Sequence, residues 1–152
     1  LPISRVDLVQ LLHQALAENE ERIAQSGLTF RVKAPEQPIY AMVDGQKCWR
    51  VFDNLIGNIL KYSLENTRVY IHAEVKGQDA VFTFKNITKY ELNDNVDELF
   101  ERFKRGEPSR HTEGSGLGLA IAKSIVDLHG GGLDIAVDGD LFKVTVTFPL
   151  AH

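Results

Sequence analysis

Apolar side chains recur along the chain at two spacings, and each spacing predicts a different kind of element. Near the amino terminus they lie three or four positions apart, which predicts a first helix from about Arg5 to Ser26. Ser4, followed three residues later by Asp7, resembles a capping box at the start of that helix. Alternation at every second position over residues 28–33 then predicts a half-buried strand.

The same two patterns organise the middle of the chain. Asp44 is placed to cap a second helix that runs through Tyr62. Two strands follow, one alternating over residues 68–75 and the next passing through Phe82 and Phe84. A helix is therefore followed directly by two strands that are neighbours in the sequence.

The last part of the chain contains a long polar stretch between two ordered patterns. Residues 86–95 predict a loop, VDELFERF at 96–103 predicts a short helix, and 104–116 predict a mobile surface loop. Helical spacing then starts near Leu117 and ends at a glycine C-cap, Gly130. A hairpin closes the chain, with Asp138-Gly139 as its turn.

The order of these elements indicates the fold class. Three helices, each apolar along one stripe, alternate with neighbouring strands, and one sheet with helices on one face buries all of these stripes. We therefore predict an α+β protein: a two-layer α/β sandwich with a mixed sheet and three main helices on one face. No internal repeat or second domain is visible in the sequence.

Composition narrows the class of protein. The 152 residues, 43% hydrophobic and 25% charged, fit one globular domain with a core of ordinary size. A formal net charge of -4 gives no broad positive field, so we expect no nucleic-acid partner. Cys48 is the single cysteine, which excludes an internal disulfide and a paired-cysteine metal site. No apolar run reaches membrane length, so we expect no membrane contact by this domain.

Two asparagines interrupt the apolar pattern of the second helix. Asn54 and Asn58 lie mid-helix, where an amide competes with the backbone for hydrogen bonds and lowers helix stability. At 100° per residue they share about a third of the circumference with Lys61 and Tyr62. Amide oxygens suit Mg²⁺, and a lysine suits a phosphate. The alternative is that the two amides satisfy buried backbone groups of adjacent loops.

Three glycines at every second position lead into the last helix. Gly114, Gly116 and Gly118 allow the backbone to approach an anion closely, at a helix end whose free N–H groups and dipole favour negative charge. The spacing is neither that of a P-loop nor that of a dinucleotide-binding fold, and no strand leads into it. The polar segment before it contributes cations at Lys104, Arg105 and Arg110. Tight helix-to-helix turning is the structural alternative.

Three motifs in this order carry a specific resemblance. DNLIGNILKYS, LFERF and GSGLGLAIAKSIVDLHGG resemble the N box, F box and G2 box of sensor histidine kinase catalytic domains. That group lies in the GHKL superfamily with gyrase, chaperone and mismatch-repair ATPases, and the resemblance covers about residues 6–150. It implies a Bergerat-type α/β sandwich that binds Mg-ATP beneath a mobile lid and transfers the γ-phosphate to a histidine.

The resemblance also implies roles for individual residues. Asn58 would coordinate Mg²⁺ with support from Asn54, and with Lys61 it would serve catalysis. Tyr62 would face the nucleotide, and Thr145 matches a threonine that helps to bind adenine in relatives. The remaining implied contacts come from the lid, namely Phe100, Phe103, Arg105 and Arg110, and from the phosphate-binding segment, namely Gly114, Ser115, Gly116, Leu117, Gly118 and Leu119.

The chain departs from the family's G1 box, usually Asp-x-Gly-x-Gly, at two positions. Aligned from Phe84, Asn86 replaces the aspartate that accepts a hydrogen bond from the adenine amino group, and Thr88 replaces a glycine. Asparagine keeps one acceptor oxygen, adds a donor and removes the charge, so an adenine contact is retained with weaker binding and less certain base selectivity. Asn54 occupies the position of the glutamate that activates water in the ATP-hydrolysing relatives, and an amide is no general base. Asp53 points about 140° away from Asn58, so we expect slow hydrolysis.

The chain lacks the sequence context of the family's phosphoacceptor histidine at all five of its histidines. We therefore expect residues 1–5 to be a linker from a dimerisation and phosphoacceptor domain, and residues 6–150 to be the catalytic ATP-binding domain. The expected partners are that domain and a response regulator, in a cytoplasmic part of a membrane-anchored bacterial sensor kinase. A degenerate nucleotide-binding pseudokinase and a stand-alone ATPase are the alternatives.

Overall fold

The computed structural model describes residues 1–89 and 115–152. The loop, short helix and lid predicted over residues 90–114 therefore lie outside the described residues. The described strands are β1 (Ser4–Asp7), β2 (Thr29–Lys33), β3 (Tyr40–Val43), β4 (Arg68–Lys76), β5 (Asp79–Ile87), β6 (Gly132–Asp138) and β7 (Leu141–Pro149). The described helices are α1 (Leu8–Glu18), α2 (Glu20–Gln25), α3 (Gly45–Tyr62) and α4 (Ser115–Leu128).

Five strands form one mixed sheet in the order β2-β4-β5-β7-β6. β2 and β4 are parallel and are joined by a crossover through β3 and α3, and the remaining neighbours are antiparallel. β1 and β3 form a separate antiparallel pair. The described residues thus confirm the two-layer sandwich, with α1, α3 and α4 as its main helices.

One face of the large sheet carries the core. On β4 the buried side chains alternate with exposed ones, and those of β5 and β7 on the same face are buried as well. Phe52 of α3 packs on this face with its ring centroid 5.0 Å from that of Phe82 and 6.1 Å from that of Phe84. Each such ring contributes about 1.5–3 kcal/mol when it is fully buried. The apolar side of α3 is thereby fixed against the sheet.

The prediction of one continuous first helix from about Arg5 to Ser26 is wrong in two respects: the helix begins later, and it is divided into two. Residues 4–7 pair with β3, and Asp7 itself is the N-cap, since its Oδ1 accepts from the backbone N–H groups of Val9 at 3.0 Å and Gln10 at 3.3 Å. The helix is interrupted at Asn19, whose Nδ2 donates to the Ala15 carbonyl at 2.8 Å. The side-chain bond competes with the helical backbone, and the apolar spacing continues through the break.

Two further boundaries differ from the predictions. β5 continues through Ile87, so Asn86 lies on a strand and pairs with Phe142, where a loop was predicted. The hairpin turn is Gly139-Asp140, one residue later than predicted, because Asp138 already pairs with Leu141. β3 is missing from the predictions, because four residues carry too short a pattern to read.

The predicted C-cap of the last helix is confirmed. Gly130 has φ +77°, and the N–H of Gly131 donates to the Val126 carbonyl at 3.0 Å, which is a Schellman-type end. A Cβ on Gly131 would lie 2.0 Å from the Thr147 carbonyl oxygen of β7. The close approach of α4 to the sheet at this point therefore requires glycine.

His129 links the ends of the two long helices. Its Nε2 accepts the backbone N–H of Asp44, the N-cap of α3, at 3.1 Å. Its Nδ1 therefore carries the proton and donates to the Ile125 carbonyl at 2.7 Å. The ring also meets Phe148 of β7 edge-on, with centroids 6.4 Å apart. One side chain thus joins the carboxyl end of α4, the amino end of α3 and the sheet.

We predict that Gly131→Ala lowers the free energy of unfolding by about 1–3 kcal/mol, because the new methyl group must displace strand backbone. Urea denaturation measures the change. Gly132→Ala is the matched control: a Cβ there meets nothing within 4 Å, and we expect a change of at most about 1 kcal/mol. Equal effects at both positions would contradict the steric explanation.

We predict that His129→Phe destabilises the fold by about 1–3 kcal/mol, because it keeps the ring and leaves the Asp44 N–H, on a residue only 5% exposed, without its acceptor. Thermal or urea unfolding measures it. His13→Phe, on the exposed side of α1, is the control, with an expected change within about 0.5 kcal/mol. Wild-type stability of His129→Phe would show that the link is dispensable.

Candidate functional site

The polar stripe of α3 points away from the core that the helix builds. Its buried side chains are Cys48, Val51, Phe52, Leu55, Ile56 and Ile59, whereas Asn54 and Asn58 are only partly buried and Lys61 is exposed. The Lys61 Nζ lies 5.4 Å from the centroid of the Tyr62 ring. The structure therefore brings these four predicted site residues to one side of one helix.

The first turn of α4 lies against this stripe. Asn54 Nδ2 is 3.5 Å from the Gly118 carbonyl oxygen, at the outer limit of a hydrogen bond. α4 begins at Ser115, two residues earlier than predicted, so the N–H groups of residues 115–117 have no partner within the helix. The predicted anion-binding helix end is thus adjacent to Asn54.

The glycine at 118 is not required by packing among the described residues. A Cβ built on Gly118 meets no described residue within 4 Å, whereas a Cβ built on Gly131, which follows the carboxyl end of α4, would clash with β7. A side chain at position 118 would therefore clash with no described residue, so tight turning, the structural alternative for these glycines, does not require a glycine there.

The sequence offered two explanations for the asparagines of α3, a role as Mg²⁺ ligands and hydrogen bonds to neighbouring backbone groups. The structure favours a different explanation for each of them. Asn54 contacts backbone of the neighbouring helix, as the structural alternative requires. Asn58, one turn further along α3, makes no hydrogen bond to the described residues and is only partly buried, so its amide oxygen is available. One neutral oxygen suits Mg²⁺ that keeps waters and also binds phosphates. The donor chemistry at Asn58 therefore fits that ion.

Asn86 lies on the helix-facing side of β5 and is 4% exposed. Its Nδ2 donates to the Ser63 hydroxyl oxygen at 2.8 Å, and Ser63 is 3% exposed. Its Oδ1 accepts no hydrogen bond from the described part of the chain. Ser63 is the C-cap of α3, directly after Tyr62, so Asn86 adjoins the end of the polar stripe. Ser63 was not among the predicted site residues, because no local pattern in the sequence links it to Asn86.

Two predicted contacts are corrected by the structure. Thr145 pairs with Thr83 on β5, whereas Asn86 pairs with Phe142. Side chains alternate between faces along a strand, so Thr145 lies on the face away from the helices and Phe142 lies on the face of Asn86. Leu119 has its side chain in the hydrophobic core, 9% exposed, and so anchors α4 instead of facing the site.

The Thr145 error was avoidable from the sequence. Val144, Val146 and Phe148 form the apolar set of the last strand, and the residues between them must face the other way. Other predicted site residues, namely Phe103, Arg105, Arg110 and Gly114, lie outside the described residues, as does Phe100. The side chains of Ser115, Gly116 and Leu117 do as well.

Other candidate chemistry is absent from the described residues. Burial, followed by the nearby Asp44 carboxylate, raises the pKa of the Cys48 thiol to about 12, so Cys48 is no nucleophile. Asp53 Oδ1 accepts from Asn19 Nδ2 at 2.9 Å, which commits that carboxylate to the junction of α1 and α3. Residues 1–89 and 115–152 contain no cluster of histidine, cysteine and carboxylates suited to a metal.

The helices of the described residues are too short or too polar to cross a membrane.

Sequence comparison finds relatives among sensor kinases. The chain is 35% identical over 142 residues to the sensor protein kinase WalK of Staphylococcus epidermidis, covering 86% of this chain and 22% of WalK. It is 35% identical over 147 residues to the histidine-protein kinase BaeS of Escherichia coli, covering 95% of this chain and 31% of BaeS. The chain thus spans between a fifth and a third of the length of these relatives.

Solved structures show the same fold. The catalytic domain of the histidine kinase ThkA matches with a TM-score of 0.84 at 22% identity, covering 98% of both chains. The mycobacterial sensor histidine kinase MprB matches with a TM-score of 0.76 at 24% identity, covering 97% of both chains. The sandwich is therefore of the Bergerat type, as predicted.

A family model described as histidine kinase-, DNA gyrase B- and HSP90-like ATPase matches residues 43–152. That range contains α3 with its asparagine stripe, the Asn86 strand and the glycine-led helix α4. The chain belongs to the histidine kinase-, DNA gyrase B- and HSP90-like ATPase family, and its relatives named above are sensor kinases.

Proposed function

We propose that this chain binds Mg-ATP and transfers the γ-phosphate to a histidine on a separate dimerisation domain. The observation that carries the proposal is the junction of α3 and α4. There the N–H groups of residues 115–117, which have no helical partner, adjoin the stripe of Asn54 and Asn58, and a Cβ on Gly118 would meet no described residue within 4 Å. Family membership supports nucleotide binding at this junction.

Phosphoryl transfer asks the protein mainly to position phosphates and to neutralise their charge. The backbone N–H groups at the start of α4 would hold phosphate oxygens, and the dipole of that helix favours negative charge. Lys61, at the end of the α3 stripe, would pair with a phosphate. Asn58 would hold Mg²⁺, which would supply positive charge that neutralises the phosphates.

The α3 stripe also supports transfer over hydrolysis. An enzyme that hydrolyses ATP needs a general base within hydrogen-bond reach of the attacking water. Asn54 is an amide turned toward Gly118, and Asp53 is bonded to Asn19 on another side of α3. The described part of the site therefore offers no carboxylate one turn before Asn58, which disfavours the stand-alone ATPase.

The larger assembly is also a proposal, because the chain covers only part of its relatives. We infer that residues 6–150 are the catalytic domain and residues 1–5 a linker to the phosphoacceptor domain. A response regulator would receive the phosphate from that domain, and one solved structure contains the histidine kinase ThkA in complex with the response regulator protein TrrA. The domain would work in the cytoplasm as part of a membrane-anchored sensor kinase.

A nucleotide-binding pseudokinase is the second candidate, and Asn86 is the observation that favours it. An amide in place of a carboxylate gives adenine a weaker hydrogen bond. The other positions of the site, Asn58, Lys61 and the start of α4, still carry groups suited to Mg²⁺ and phosphate. We therefore favour the kinase.

We predict that Gly118→Ala lowers ATP affinity at least about tenfold, because a methyl group would fill the space that a phosphate must enter. The fold should stay as stable as the wild type or gain up to about 1 kcal/mol, because alanine favours a helix. Calorimetric titration and urea unfolding measure the two quantities. Gly132→Ala, also open but on β6, should leave affinity unchanged. Unaltered ATP binding by Gly118→Ala would remove the phosphate site from α4.

The proposed function is tested by mixing the chain with its phosphoacceptor domain and labelled ATP, and we predict phosphohistidine on that domain. Asn58→Ala should lower transfer by about 100-fold or more, because charge neutralisation worth several kcal/mol is lost. Gln46→Ala is the control, exposed on the same helix and about 18 Å away along its axis. Binding without transfer would indicate the pseudokinase, free phosphate alone the ATPase, and full activity of Asn58→Ala a wrong metal ligand.

A further inference from the structure

The pair formed by Asn86 and Ser63 is chemically reversible. An amide has a carbonyl oxygen on one side and an NH₂ group on the other, and a rotation of 180° about its last side-chain bond exchanges them. A hydroxyl both donates and accepts. In the structure Asn86 Nδ2 donates to Ser63 Oγ at 2.8 Å, and after the rotation the hydroxyl would donate to Oδ1 at the same place. Each orientation therefore keeps the buried pair hydrogen-bonded.

The backbone holds the two side chains at this distance. Ser63 faces Thr88 in a β-bridge, flanked by bonds from the Leu64 N–H to the Ile87 carbonyl at 2.8 Å and from the Lys89 N–H to the Tyr62 carbonyl at 2.9 Å. These bonds tie the end of α3 to the end of β5 on both sides of Ser63, two residues from Asn86 along β5. Rotation of the amide thus needs no movement of either element.

We propose that this pair lets the site accept both 6-amino and 6-oxo purine nucleoside triphosphates. The inference rests on the proposed function, which places the purine at Asn86. With Oδ1 toward the ligand, Asn86 accepts from the amino group of adenine. With Nδ2 toward the ligand, it donates to the carbonyl oxygen of hypoxanthine or guanine. Ser63 changes from acceptor to donor between the two states and so satisfies the group that the ligand does not use.

A carboxylate at position 86 has no second hydrogen-bonding state, because rotation exchanges two identical oxygens. Its two oxygens only accept, so a 6-oxo purine would face an oxygen with an oxygen. A site that leaves a buried polar group unpaired rejects such a ligand strongly. The broad selectivity therefore follows from the particular residue at 86 together with the hydroxyl at 63.

The experiment compares ATP with inosine triphosphate, which differs at the 6-position of the base, by calorimetric titration in excess Mg²⁺. We expect the wild-type chain to bind the two within about tenfold of each other. Asn86→Asp should widen the preference for ATP to at least about 100-fold. A wild-type preference for ATP well above tenfold, or no change of preference in Asn86→Asp, would overturn the inference.

Substitutions of Ser63 give a separate test, because a purely structural role of Ser63 would not change the affinities for the two nucleotides in the way described next. Ser63→Ala removes the partner of both orientations, so the affinities for both nucleotides should fall together, about three- to tenfold each. Ser63→Thr keeps the hydroxyl, fits the extended backbone there (φ -79°, ψ 144°) and should restore both. A loss of affinity for ATP alone would show that the Asn86 amide keeps one orientation, and it would overturn the inference. Thermal unfolding of each variant identifies one that fails to fold.

The results also separate this inference from the function on which it rests. If the wild-type chain binds neither nucleotide, the proposed function fails and takes the inference with it. If it binds ATP and rejects inosine triphosphate, the proposed function stands and the reversible pair alone is wrong.

Discussion

The burial of one side of α3 against the sheet is the constraint on which the rest depends. Phe52 packs between α3 and β5, where its ring meets those of Phe82 and Phe84, and this fixes the rotation of the helix about its axis. Because the apolar side is committed to the sheet, Asn54 and Asn58 must lie on the side that meets α4. The site is thus a consequence of core packing, and a helix free to rotate would disperse it.

The second helix of the site is positioned from both ends. At its carboxyl end, Gly131 allows close approach to β7, and His129 bonds to the start of α3. At its amino end the Gly118 carbonyl meets Asn54. The contacts at the carboxyl end are close and sterically demanding, whereas at the amino end a Cβ on Gly118 would meet no described residue within 4 Å. Among the described residues, tight packing is therefore confined to the carboxyl end of this helix.

The shared face of the α3 residues could be predicted from the sequence because it depends on local spacing, whereas the roles of these residues stay predictions. Asn54, Asn58, Lys61 and Tyr62 share a face by helical period alone, and the glycines precede a helix that its own apolar spacing reveals. The predicted adenine contact of Thr145 was wrong because it ignored the alternation of side chains along the last strand. Ser63 was missed because its partner Asn86 is 23 positions away, and no local pattern links two residues on different elements.

By itself the sequence determined the amphipathic helices, the alternating strands, the sandwich class and the order of the three motifs, because each depends on residues within a few positions of one another. The tertiary structure alone decided the strand at Ser4–Asp7, the break at Asn19, the extension of β5 through Ile87 and the pairing of Ser63 with Asn86. The physical reason is common to these four: each is set by hydrogen bonds that compete with, or extend beyond, the pattern of apolar side chains. That pattern reports which face of an element is buried and carries no information on its polar partners.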